Sequence, residues 1–124
     1  MRLFPIEFRP GVPVYEQVLY AARKAIVSGD LAPGDLFPSV RALSAEYRIN
    51  PNTVQKALVA LRNEGLIESI PGIGNRVTAA PKPTSLQLDG LLNDQLEAVV
   101  LRAKQLGIPL NDLKSALTDH WKNL

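Results

Sequence analysis

The sequence predicts a mainly α-helical fold carrying one small β-hairpin. Two observations predict it. Along most of the chain, apolar residues return at three- and four-residue steps, the period of a helix with one buried face. In one short stretch, two β-prone runs at 66–70 and 75–78 instead flank Pro71-Gly72-Ile73-Gly74, the pattern of a hairpin with a glycine-rich tip.

Phe4, Ile6 and Phe8 alternate with other residues before Pro10, Gly11 and Pro13 interrupt, so an extended arm precedes the first helix. That helix spans 13–29, with Val14, Val18, Ala22, Ala25 and Ile26 on one stripe. Pro33, Gly34 and Pro38 make the next segment a connection, with a short extended piece around Asp35 to Phe37. Ser39 stands as N-cap of a short second helix, in which Val40, Leu43, Ser44 and Tyr47 repeat before an end near Arg48-Ile49. Asn50 and Pro51 then open a third helix whose Val54, Ala57, Leu58 and Leu61 fall at i, i+3, i+4 and i+7. It ends at Asn63-Glu64-Gly65, and the hairpin follows.

Residues 79–85 lack periodicity and include Pro81 and Pro83, so they read as a semi-rigid linker between a unit over 1–78 and a segment over 86–124. In that segment Leu92, Leu96, Val99, Ala103 and Leu106 step by four, three, four and three until Gly107 and Pro109 end the helix. A last helix, with Asn111 as candidate cap, carries Leu110, Leu113, Leu117, Trp121 and Leu124 on one side. Two such stripes cannot both be buried within so small an appendage. A homodimer is therefore expected, with Leu92, Leu96, Val99, Ala103, Leu106, Leu113, Leu117 and Trp121 at its interface.

Composition narrows the functions available. With 124 residues and 46% hydrophobic content, the chain suits one compact domain plus a short appendage and leaves little room for a large ligand-binding module. No apolar run is long enough to cross a bilayer and the first residues lack a secretory core, so a cytoplasmic protein without membrane partners is expected. Cysteine is absent, which excludes disulfides, thiolate catalysis and Cys-ligated metal. The one histidine, His120, has no ligand set around it, so neither metal nor cofactor is expected. No nucleophile, base and orienter stand together, so an enzyme is not expected. The formal charge of +2 permits nucleic-acid binding without requiring it.

Where the polar residues sit is more informative. Two short helices joined tightly at Arg48-Ile49-Asn50 and followed by a hairpin form a winged helix-turn-helix, whose second helix enters the major groove. Asn50, Asn52, Thr53, Gln55 and Lys56 avoid the apolar stripe of that helix and are the residue types that reach base edges and phosphates. Arg41, on the preceding helix, is the natural reader of a guanine.

The runs Pro33-Gly34-Asp35-Leu36-Phe37-Pro38-Ser39-Val40-Arg41-Ala42-Leu43, Asn50-Pro51-Asn52-Thr53-Val54, Glu64-Gly65-Leu66-Ile67-Glu68 and Gly72-Ile73-Gly74 resemble the GntR family of bacterial regulators. The two-helix C-terminal segment resembles its YtrA subfamily, and the resemblance covers essentially the whole chain. It implies a transcriptional regulator, by family expectation a repressor, that binds an inverted-repeat double-stranded operator as a homodimer and controls a neighbouring transporter operon. By position it implies DNA contacts from Ser39, Arg41, Asn50, Asn52, Thr53, Gln55 and Lys56, with the Gly72–Gly74 tip in the minor groove. The chain departs from the family pattern where Ile70 and Pro71 replace basic residues before the wing glycines. It departs again at Asn75 and Arg76, which leaves Arg76 as a compensating phosphate contact, and at Asn111, where a Ser or Thr cap is usual.

The alternative reading is a winged-helix module for protein–protein assembly, which salt dependence of duplex binding distinguishes. Gly72-Ile73-Gly74 lacks the further residues of a phosphate loop. Trp121 is in register with Leu117 and Leu124, as core or dimer contacts are, and a small-molecule effector is not identified by the sequence.

Overall fold

Caps and prolines set the helix ends in the computed structural model, which describes residues 3–79 and 83–124. The chain divides into two compact units, Met1–Pro81 and Lys82–Leu124. In the first, α1 (Val14–Val27) starts behind Pro13 and stops before Gly29, whose φ of 88° takes the backbone out of the helix. Val18, Leu19, Ala22 and Ala25 are its buried residues. The expected stripe is thus corrected at both ends: Val14 is 41% exposed and Ile26 only half-buried, while Leu19 joins the buried face.

Two polar caps build the next pair of helices. Ser39 Oγ accepts the Ala42 amide at 3.1 Å to start α2 (Val40–Tyr47). Asn50 Oδ1 accepts the Asn52 amide at 2.9 Å to start α3 (Pro51–Asn63), with Pro51 in its first turn. Between them Arg48 takes φ 52°, turning the chain in a single left-handed residue. Val54, Ala57, Leu58 and Leu61 of α3 are buried where it packs on α1 and α2.

After α3, β1 (Ile67–Ile70) pairs antiparallel with β2 (Gly74–Val77), register Ile67 to Val77 and Ile70 to Gly74. The extended piece expected near Asp35 extends this hairpin. The Gly34 amide donates to the Val77 carbonyl at 2.8 Å, the Val77 amide to Asp35 at 2.9 Å and the Phe37 amide to Asn75 at 2.8 Å. This covers the free edge of β2 and delivers the Phe37 ring to the core, 5.5 Å from that of Phe4. The N-terminal arm is tied down by the Tyr47 hydroxyl, which donates to the Phe4 carbonyl, and by Gln17, whose side chain bonds Arg9 and Val12 backbone atoms.

The second unit holds α4 (Ser85–Asp89), a π-helical turn (Gly90–Gln95), α5 (Leu96–Gln105) and α6 (Leu110–Asn123). Thr84 and Gln87 form a reciprocal capping box, so the stretch expected to be linker is already helical at Ser85; Ala80, Pro81 and Lys82 lie outside the described residues. The π turn contains Leu92 and ends just before Leu96, which changes their angular relation from that of a regular helix. Asn111 is not the cap of α6: Pro109 occupies that position, without a side-chain hydrogen bond. Ala103 is the buried residue of this unit, at 6% exposure, so it packs within its own chain and is not presented to a partner as expected; Leu113 is half-buried. Among the described residues, no helix is long and apolar enough to cross a membrane.

Candidate nucleic-acid interface

A helix that anchors by one face can display residues on the other. In α3 the apolar residues at 54, 57, 58 and 61 occupy the inner face, so the 100° step per residue sends Asn52, Gln55 and Lys56 outward, and all three are exposed. Thr53 lies at the margin, half-buried. Asn50 is exposed, but its carbonyl oxygen is used on the Asn52 amide, leaving its NH₂ group as the donor available to a ligand.

Arg41 is exposed in the first turn of α2, immediately behind the Ser39 cap. Arg41 forms no ion pair with Glu46, five residues on, or with any other described residue. Ser39 itself is half-buried and its hydroxyl is committed to the cap. The packing of α2 on α3 thus places Arg41 and the polar start of α3 on adjoining helices of one unit.

The hairpin tip presents a different chemistry from α3. Gly72 at φ 75° and Gly74 at φ 130° shape its tip, and only glycine adopts the latter readily. Ile73 between them is 65% exposed, and Ile70 and Pro71 add no charge. Arg76, expected as a compensating phosphate contact, is paired across the strands with Glu68, Nε to Oε1 at 3.0 Å. Both side chains are nearly half exposed, so this pair is weak and can exchange for a phosphate, but Arg76 does not stand as an unneutralised cation.

Other charges serve the scaffold. Arg62 Nη1 donates to Asn75 Oδ1 at 3.3 Å, fastening the end of α3 to the wing. Arg23 donates to both oxygens of Glu64 at 2.8 and 3.0 Å, fastening α1 to the end of α3, and that hydrogen bond raises the Arg23 pKa above its ordinary value. Arg41, Arg48 and Lys56 remain without an ion-pair partner among the described residues. Arg48 was not singled out by sequence reasoning, because nothing in its neighbourhood signals that a residue other than glycine takes the left-handed turn position.

The description "Bacterial regulatory proteins, gntR family" matches residues 14–77, from the first residue of α1 to the last of β2. The HTH-type transcriptional repressor YtrA of Bacillus subtilis (strain 168) is 33% identical over 112 residues, covering 90% of this chain and 86% of that protein. The crystal structure of a transcriptional antiterminator from Listeria monocytogenes EGD-e superposes with a TM-score of 0.80 at 25% identity, over 98% of this chain and 90% of that one. YtrA from Sulfolobus acidocaldarius, a GntR-family transcription factor, superposes with a TM-score of 0.62 at 26% identity, over 84% of this chain and 99% of that one.

Proposed function

Because this chain belongs to the GntR family of bacterial regulatory proteins, and is a DNA-binding transcriptional regulator with a winged helix-turn-helix and not an enzyme, we propose that it represses transcription as a homodimer on an inverted-repeat operator. The observation that carries this is the division of α3 into a buried face of Val54, Ala57, Leu58 and Leu61 and an exposed face of Asn52, Gln55 and Lys56. In each copy α3 lies in a major groove, Arg41 reads a guanine, and Asn52 or Gln55 reads an adenine. Two-fold symmetry then spaces the half-sites about one helical turn apart. The wing tip at Gly72–Gly74 meets the neighbouring minor groove through shape and backbone, since Arg76 is shared with Glu68.

Dimerisation through the second unit is supported by its exposed apolar residues, which include Leu92, Leu96, Val99, Leu106, Leu117 and Trp121. Left in water, a patch of that extent favours association. Repression is supported by the similar Bacillus protein, which is named as a repressor. A cytoplasmic location and a neighbouring transporter operon as target complete the reading.

In vitro selection from random duplexes, followed by titration of the selected duplex at increasing salt, tests it. A palindromic consensus and an affinity that falls steeply with salt are expected. Binding that is absent or insensitive to salt overturns the reading and favours an assembly module.

A further inference from the structure

A groove runs between the N-terminal arm and the turn that joins α2 to α3, lined among others by Phe8, Arg9, Gln17, Arg48, Asn50 and Thr53. Among the described residues its two charged lining residues are both arginines, and no carboxylate lines it. Arg9 is held by its backbone, with its amide donating to Gln17 Oε1 at 2.7 Å and its carbonyl accepting from Gln17 Nε2 at 3.1 Å. Its guanidinium has no ion pair among the described residues. Arg48 is the one described residue other than glycine with positive φ, at 52°. Glycine occupies such a position without steric cost, so the turn alone gives no reason for arginine. Neither Glu7 nor Glu46, the acids nearest in sequence, pairs with either arginine.

Asn50 and Thr53 belong both to this groove and to the start of α3, so the groove is continuous with the face assigned above to base reading. We infer that Arg48 and Arg9 together clamp a DNA backbone phosphate flanking the bases read by α3. The inference rests on the DNA-binding reading and adds a sequence-blind contact to it. A guanidinium suits a phosphodiester oxygen pair by its fork of donors, and two of them from separate segments would fix the angle at which the reading helix enters the groove.

The full-length chain is tested as Arg48→Gly, Arg48→Asn and Arg9→Gln, with a labelled random-sequence duplex of about three helical turns as probe. Glycine and asparagine both accept left-handed backbone, so both Arg48 variants are expected to melt at or above the wild-type temperature. Each of the three is expected to make the plot of log affinity against log salt shallower by about 0.9 per subunit, roughly an eightfold loss per contact near 0.1 M salt. The loss should be equal on the random duplex and on one selected for tight binding.

An unchanged salt slope overturns the clamp, as does a loss confined to the selected duplex, which would mark a base contact. A lowered melting temperature in both Arg48 variants overturns it too, by showing that the arginine serves the turn. Wild-type protein that binds no duplex removes the DNA reading itself, a failure visible before any variant is made.

Discussion

The two units of this chain solve the burial problem in opposite ways. In the first, α1, α2, α3 and the hairpin close around Phe4, Phe37, Leu43, Leu61, Ile67 and Val77, each with at most 3% of its surface exposed. In the second, Trp121 is 85% exposed, Leu117 61% and Leu92 56%, while among its described residues Ala103 alone is buried. Similar amphipathic helices thus give a closed core in one unit and leave apolar faces exposed in the other. The reason is geometric: three helices and a hairpin enclose a space, whereas the successive helices of the second unit do not enclose one among themselves. The first unit can devote its outward face to recognition because its stability does not need that face.

The sharpest way to break this contrast is to charge the exposed apolar faces. Leu96→Glu combined with Leu117→Glu is expected to yield a monomer by sedimentation and to weaken operator binding by about 10²- to 10⁴-fold, the avidity of a linked second site. The melting of the first unit should survive. A dimer that persists would mean that the exposed leucines are not its interface. Trp121, the sole tryptophan, should report the same event by a red-shifted emission in the monomer.

Truncating the complete core should act in the reverse sense. Leu61→Ala removes a residue with 0% exposure and is expected to cost about 2–5 kcal/mol in denaturant unfolding of the first unit. A loss well below that would show the core to be looser than its burial indicates.

Arg41→Ala tests whether the outward face is free for recognition. We expect about 1–3 kcal/mol of discrimination lost at one base position per half-site, with unfolding stability unchanged. Uniform weakening on every sequence would make Arg41 a phosphate contact.

Ser39→Ala is expected to cost about 1 kcal/mol of stability through the lost cap on α2, and a null effect would place the α2 boundary elsewhere. Smallest is the coupling between Arg23 and Glu64, at most about 1 kcal/mol in a double-mutant cycle, since both side chains are about a third or more exposed.

What sequence alone determined is what depends on neighbours within a few positions. The helical stripes, the caps at Ser39 and Asn50, the Pro51 start and the glycines of the hairpin turn are local, because a cap reaches two or three residues and a helix repeats every 3.6. The candidate reading face of α3 followed from the same periodicity. Even here a local signal was missed: Thr84 and Gln87 carry the spacing of a capping box, overshadowed by the prolines before them.

Only the tertiary structure decided which charges are spent on the scaffold. Arg62 with Asn75, Arg23 with Glu64 and Arg76 with Glu68 lie 13, 41 and 8 positions apart, so no helical or strand period announces them. It also decided that residues near Asp35 join the hairpin, that Arg48 makes the left-handed turn, and that Ala103 faces its own chain. Each of these depends on which segments meet in space, a choice made by closing the core of the whole unit and not by any residue's immediate neighbours.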